Sequence, residues 1–347
     1  MTGGNRVRIP VDVITGFLGS GKTTLLNHLV KQPESRSTAV VINEFGEVGI
    51  DHRLVETSSE QMVELNNGCI CCTIRGDLAD KLGSLAMWLD SGRIPPVDRV
   101  VVETTGLADP APILHTLMTD AHLLGRYRFH AVVTLVDAIA GASSLDRFAE
   151  ARKQVAMADD LIVSKRDLVD VHSDRQSYAG LKRRIRRLNP RAVVHEAVNG
   201  AIDVAALIGR ERDGAAAFAD LAEWASAADD HGPRDPCHDD SHRHAHGEGD
   251  VRSFVVTLER RLDGAEFNAF LQALAIEFGE HLLRVKGILH VADRPDRPAV
   301  VHGVQHVFFP VTWLDGWPDE ERASTLVFIV QGIEPQRIER RLRERFA

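Results

Sequence analysis

The run Gly16-Phe17-Leu18-Gly19-Ser20-Gly21-Lys22-Thr23 fits the pattern G-x-x-x-x-G-K-[ST] throughout. Its chemistry is that of a phosphate cradle. Gly16, Gly19 and Gly21 let backbone N–H groups turn inward around a β-phosphate without Cβ clashes. Lys22 reaches the β- and γ-phosphates and the Thr23 hydroxyl holds Mg²⁺, with Ser20 and Thr24 counted among the nucleotide-binding positions. The motif needs a strand before it and a helix after it. Val11 to Ile14 is a short apolar run that reads as a buried strand, and Thr24 to Val30 reads as a helix with Leu25, Leu26 and Leu29 on its apolar side. A helix N-terminus at that point adds partial positive charge.

Two carboxylates and a polar tetrapeptide extend the chemistry. Arg99-Val100-Val101-Val102-Glu103 is a continuous apolar strand of the parallel-sheet kind, ending in Glu103-Thr104-Thr105-Gly106. A carboxylate at the C-terminal end of such a strand lies beside the phosphate loop and can position Mg²⁺, directly or through water. Glu44 sits in the acidic, glycine-containing loop Asn43 to Asp51, a candidate switch loop after the strand Thr38 to Ile42. Lys22, Glu44 and Glu103 are therefore the candidate catalytic residues. The strand Leu161 to Val163 delivers Ser164-Lys165-Arg166-Asp167. Asp167 there could accept two hydrogen bonds from the N1–H and exocyclic amine of guanine, and a buried carboxylate would discriminate against adenine. Ser164 and Lys165 belong to the same base-binding group.

The cysteines supply the other chemistry. The chain has four, Cys69, Cys71, Cys72 and Cys237. Three within four positions are too close for a disulfide framework, and a thiolate metal site in a reducing compartment fits better. Thiolates favour Zn²⁺, Co²⁺ or Cu(I) over Mg²⁺. In an extended chain Cys69 and Cys71 share a face; in a helical turn Cys69 and Cys72 do. Three ligands fall short of a closed structural zinc site, so an exchangeable position suits a carrier; three buried structural thiols are the competing reading. From about Asp213 to Asp250 apolar periodicity disappears, and His238, His242, His244 and His246 stand among acidic residues. This stretch reads as a disordered linker able to bind transition metals.

The 347 residues are 44% hydrophobic and 26% charged, ordinary for a globular protein able to bury a core. A formal charge of −9 argues against a nucleic-acid surface. No apolar stretch reaches the eighteen or so residues of a membrane span, and the phosphate loop follows Met1 too closely for a signal peptide, so a cytoplasmic protein is expected.

Alternating strands and helices with a phosphate loop at the first turn imply a three-layer α/β domain with a mostly parallel sheet. Its expected elements are helices at Leu78–Leu89, Leu145–Ala158 and Leu181–Leu188, and strands at Ala131–Val136 and Ala192–Val194. The basic run Lys182 to Arg187 reads as a solvated helix face. A smaller α+β domain follows, with strands at 254–258, 282–287, from 300 onward and 326–330, and helices at 262–278 and 334–346. His302 and His306 read as packed or surface residues of that domain. The expected divisions are 1–210, 211–250 and 251–347.

The phosphate loop, Asn43-Glu44-Phe45-Gly46-Glu47-Val48-Gly49-Ile50-Asp51 and Gly68-Cys69-Ile70-Cys71-Cys72-Thr73 together resemble the CobW-type metallochaperone GTPases of the G3E class. Leu283-Arg284-Val285-Lys286-Gly287 and Leu326-Val327-Phe328-Ile329 are similar to that family's C-terminal domain. The resemblance implies GTP hydrolysis coupled to delivery of zinc or cobalt to a client protein. It also implies metal binding by Cys69, Cys71 and Cys72, and Mg²⁺ near Thr23 and Glu103. The family's N-K-x-D motif appears here as Ser164-Lys165-Arg166-Asp167, which keeps the base-recognising carboxylate and lacks the Asn amide that braces the loop. Two other functions compete: a metal-storage or buffering protein using the histidine tract, and an activator of a single metalloenzyme such as a nitrile hydratase.

Overall fold

The computed structural model describes residues 8–35, 37–43, 61–64, 70–73, 77–169, 175–190, 192–202, 207, 251–258, 260–308, 311–317 and 322–346. Glu44, Cys69 and the tract His238 to His246 lie outside the described residues. The chain forms two compact units, 1–184 with 192–210, and 185–191 with 211–347.

The first unit is built on β1 (Ile9–Gly16), β2 (Thr38–Asn43), β3 (Gln61–Glu64), β4 (Ile70–Thr73), β5 (Arg99–Thr104), β6 (Tyr127–Asp137), β7 (Asp160–Ser164) and β8 (Val193–Glu196). They form one sheet in the order β3-β4-β2-β5-β1-β6-β7-β8. Every pairing is parallel except β3 with β4. The flanking helices are α1 (Lys22–Leu29), α2 (Leu78–Asp90), α3 (Pro110–Thr119), α4 (Ala121–Leu124), α5 (Gly141–Arg147), α6 (Ala149–Met157) and α7 (Arg175–Leu188). β1 lies between β5 and β6, where the order of strands reverses. The crevice beyond the strand ends at such a point is where open α/β sheets place ligands.

Burial explains the strands. Val100, Val101 and Val102 are wholly buried, as a parallel strand covered on both faces requires. Leu25, Leu26 and Leu29 of α1 pack with Ile14, Val101 and Leu135 in one core cluster. A polar group also lies in this core. Asp12 of β1 is fully buried and bonds His130 Nδ1 at 2.6 Å and the guanidinium of Arg99.

One expected helix is divided. Instead of a continuous helix over 145–158, α5 ends at Arg147 and α6 begins at Ala149, with Phe148 extended at φ −123° and ψ 123°. The Phe148 ring stacks on Phe17 of the phosphate loop, centroids 4.5 Å apart. That tertiary contact overrides helix propensity at one residue.

The second unit has β9 (Val251–Leu258), β10 (Leu282–Leu289), β11 (Ala299–Val304), β12 (Val307–Phe308), β13 (Thr312–Trp313) and β14 (Ser324–Gln331), with α8 (Gly264–Phe278) and α9 (Pro335–Phe346). Its antiparallel sheet runs β12-β11-β10-β14-β9, and β13 pairs with β11. Asp263 and Glu266 form a capping box that starts α8. Phe267, Phe270 and Leu274 of α8 and Ile338 and Leu342 of α9 pack on this sheet in one core. His306 is a surface residue of this unit whose Nδ1–H donates to Ala275 O at 2.9 Å.

Candidate functional site

The phosphate loop leaves β1 at Gly16 and enters α1 at Lys22. Gly16, Gly19 and Gly21 have φ of 144°, 73° and 93°. Gly21 is the N-cap of α1 in the left-handed region, which an L-residue adopts only with strain. No side chain caps α1, and its first turn holds no acidic residue. The opening N–H groups of this helix therefore face an anion site without an internal carboxylate competing for them. Lys22 folds over the loop and donates from Nζ to Gly16 O at 2.7 Å and Phe17 O at 3.4 Å. Thr23 and Thr24 are exposed, whereas Ser20 is buried.

Glu103 is buried at the end of β5, in register with Ile14 of β1 and Ile42 of β2. Its neighbour Thr104 donates from Oγ1 to Thr15 Oγ1 at 2.9 Å, tying the two strand ends together. The chain then bends across the phosphate loop. A Cβ on Gly106 would stand 2.9 Å from both Leu18 Cα and Leu18 N, so only glycine permits this approach. Gln154 of α6 grips the same bend, donating from Nε2 to Gly106 O at 3.3 Å and Ala108 O at 2.9 Å. Lys153 adds an ion pair to Asp109, the N-cap of α3, at 2.5 Å.

The tetrapeptide Ser164-Lys165-Arg166-Asp167 closes the other side. The Ser164 hydroxyl donates to Ser20 O at 2.6 Å, so a serine braces the phosphate loop where an Asn amide was expected to be needed. Lys165 has φ 56° and pairs through Nζ with Asp137 Oδ2 at 2.7 Å. Burial alone would raise the Asp137 carboxyl. The Lys165 ammonium and the N–H groups of Ala140 and Ile139 outweigh that, and it titrates below the usual aspartate range. Asp167 is exposed, not buried as the guanine argument supposed, because it stands on the 3-10 turn Arg166–Leu168 beyond the strand. Its Oδ1 accepts the Asn199 N–H at 3.1 Å.

The cysteine motif is placed by backbone register. Cys71 pairs with Val40 and Cys72 with Val41 on β2. Residues 70–73 are thus extended, and the helical-turn alternative does not apply to them. Val41 pairs with Val102, and Val102 with Val13. The Cα of Cys72 therefore lies in one transverse row with Val102, two strand spacings or ~10 Å away, one residue short of Glu103. Lys81 of α2, the helix that follows the motif, is buried and donates to Ile42 O at 3.0 Å and Asn43 Oδ1 at 3.1 Å, at the end of β2 just before Glu44. Among the described residues no group of three or more His, Cys, Asp or Glu is arranged to hold a metal ion, and no helix is long and apolar enough to cross a membrane.

Four contributors escaped the sequence reading: Asp137, Gln154, Lys81 and the turn at Asn199-Gly200. Asn-Gly is a turn signal that could have marked the last. Lys81 shares the buried face of Leu78, Leu82 and Leu85, and a lysine on an apolar stripe marks a buried cation. Gln154 carries no local signal.

Residues 10–196 match the family model for the CobW/HypB/UreG nucleotide-binding domain, and residues 251–345 the cobalamin synthesis protein cobW C-terminal domain. The chain is 36% identical to the zinc chaperone YjiA of Escherichia coli, over 92% of this chain and 93% of that protein. It is 30% identical to the zinc chaperone CobW of Pseudomonas aeruginosa, over 98% and 92%. Among solved structures, the Zn(II)-bound YjiA GTPase from E. coli superposes with a TM-score of 0.70 at 32% identity, covering 97% of this chain and 98% of that one.

Proposed function

The chain belongs to the CobW family of P-loop GTPases, and on that premise we propose that it carries a transition metal, zinc first and cobalt next, on Cys69, Cys71 and Cys72 and delivers it to a client metalloprotein under the control of GTP. The observation that carries this reading is the order of four neighbouring strands. β4 bears Cys71 and Cys72, β2 leads to Glu44, β5 ends in Glu103, and β1 ends in the phosphate loop. Cys71 and Cys72 and the strands that lead into the nucleotide motifs thus lie on neighbouring hydrogen-bonded strands of one sheet.

In this reading GTP lies on the phosphate loop, with Lys22 on the β- and γ-phosphates and Asp167 on guanine, assisted by Ser164 and Lys165. Thr23 and Glu103 supply oxygen donors of the kind Mg²⁺ prefers, and the ion would neutralise phosphate charge there. Glu44 serves the loop that responds to the γ-phosphate. The buried Lys81 links the helix after the cysteines to the strand end before Glu44. The thiolates suit Zn²⁺ or Co²⁺ as cargo. His238, His242, His244 and His246 form an accessory metal-loading tract in a linker, 211–250, between a GTPase domain, 1–210, and a C-terminal domain, 251–347.

The test is metal affinity by chelator competition, for Zn²⁺ and Co²⁺, first with Mg²⁺ and a non-hydrolysable GTP analogue and then with GDP. A difference of roughly 5–150-fold is expected, since coupling of two sites is typically about 1–3 kcal/mol. Serine at positions 69, 71 and 72 should abolish the difference and spare nucleotide binding. Identical affinities in both nucleotide states would overturn GTP-controlled carriage.

A further inference from the structure

Asp137 and Lys165 stand at the ends of adjacent parallel strands, β6 and β7, whose register pairs Asp137 with Ser164. The Asp137 carboxylate is oriented before the lysine meets it. Oδ1 accepts the N–H groups of Ile139 at 2.7 Å and Ala140 at 3.1 Å, and Oδ2 takes Lys165 Nζ at 2.7 Å. The carboxylate is 11% exposed and the lysine side chain 38%. Lys165 has φ 56° and ψ 33°, the left-handed state, which costs an L-residue of this kind stability unless its surroundings hold it. On one side of Lys165, Ser164 is bound to the phosphate loop. On the other, Arg166 N donates to Ala197 O at 3.2 Å, and Asp167 accepts Asn199 N–H. The tetrapeptide is thus pinned to two segments, at Ser164 to the phosphate loop and at Arg166 and Asp167 to the turn that follows β8. Lys165, the residue in the left-handed state, has two described ties of its own: its carbonyl accepts the Leu168 N–H at 3.1 Å, closing the 3-10 turn, and its ammonium meets Asp137, the one side-chain anchor among them.

We propose that Asp137 is a positioning residue for guanine selection: its ion pair keeps Lys165 left-handed, and that backbone state sets where Asp167 presents its carboxylate to the base. A lysine ammonium is a point charge on a flexible stem, so an oriented carboxylate is what gives it a defined place. Asp137 itself touches no nucleotide in this assignment. The proposal rests on the reading of Asp167 as the guanine acceptor.

Asp137→Asn separates the two roles of the carboxylate. The amide oxygen still accepts the Ile139 and Ala140 N–H groups, so the β6–α5 turn keeps its cap, while the ion pair is lost. The full chain is titrated with fluorescent GDP and ADP analogues as the parent, Asp137→Asn, Lys165→Ala, the double variant and Asp167→Asn. The expected result is a GDP affinity about tenfold weaker in Asp137→Asn with ADP changed less than twofold, a KM for GTP that rises more than kcat falls, and a double variant no weaker than Lys165→Ala alone. Parent-like GDP binding by Asp137→Asn, an equal loss for GDP and ADP, or additive losses in the double variant would overturn the proposal. If the parent prefers GDP and Asp167→Asn loses that preference while Asp137→Asn keeps it, the guanine reading survives and this proposal alone falls. A parent that binds GDP and ADP equally removes both.

Discussion

The hydroxyl of Ser164 donates to the carbonyl oxygen of Ser20 at 2.6 Å, joining two loops that are 144 residues apart in the chain. Both partners are buried, and the bond ties the tetrapeptide Ser164 to Asp167 directly to the phosphate loop. A short hydroxyl reaches because β7 delivers Ser164 close to the loop: its side chain lies 3.9 Å from where a Cβ on Gly21 would stand.

Removing that hydroxyl should loosen the loop. A net hydrogen bond is worth about 0.5–1.5 kcal/mol, so Ser164→Ala should weaken GDP binding roughly 2–10-fold. Titration with a fluorescent GDP analogue measures it, and parent-like affinity would mean that the brace contributes nothing.

Lys22→Ala should lower GTP turnover by roughly 10²–10³-fold, the usual loss on removing one fixed donor to developing charge. The Lys22 ammonium donates to two carbonyls of the loop itself, Gly16 O and Phe17 O, and the fold should survive its loss. Phosphate release gives the rate, and a thermal melt verifies the fold. Turnover at the parent rate would displace Lys22 from the site.

Lys81→Met keeps the length and apolar stem of the lysine but removes the bonds to Ile42 O and Asn43 Oδ1. If α2 transmits between the cysteine strand and the Glu44 loop, the GTP-to-GDP difference in Zn²⁺ affinity should shrink at least threefold, within the ordinary range of coupling energies. The chelator competition described above reads it out. An undiminished difference would assign Lys81 to packing alone.

Asp12→Ala should be among the most destabilising substitutions in the first unit. It leaves His130 and Arg99 without their shared buried acceptor. Removing one member of a buried charged cluster typically costs about 3–5 kcal/mol. Urea denaturation of parent and variant tests this; a loss under about 1 kcal/mol would show that water replaces the carboxylate.

The Asp137 ion pair carries its own pH signature. Its carboxyl titrates lower in the folded chain than the unfolded value of about 3.9, so its stabilisation is fully present above that value and is lost as pH falls through the folded one. The melting-temperature gap between parent and Asp137→Asn should therefore be flat from about pH 7 to 5 and narrow only below about pH 4. A gap that closes between pH 7 and 5 would point to a different titrating group.

Much of this protein can be read from local sequence. The phosphate loop is contiguous, and its glycines, lysine and flanking apolar runs state their own geometry. Val100 to Val102 announce a strand covered on both faces, and Leu25, Leu26 and Leu29 a helix packed on one side. These features are legible because each depends on residues within a turn or two of itself. Spacing within the cysteine motif, by contrast, allowed either a strand or a helical turn. Hydrogen bonding of 70–73 to β2 and β3 decided for the strand.

Relations between strand ends are a different matter, because those ends become neighbours when the sheet forms. Asp137 meets Lys165 because β6 and β7 are adjacent, and Asp12 meets Arg99 and His130 because β1 lies between β5 and β6. Phe148 interrupts a helix because its ring finds Phe17. The exposure of Asp167 followed from a turn that carries it past the end of its strand. Most elements and the outline of the phosphate loop are legible locally, since backbone propensity and apolar periodicity act over short range. Strand order determined which distant polar groups meet. That order is chosen by the burial of the whole apolar set at once, and no local stretch encodes it.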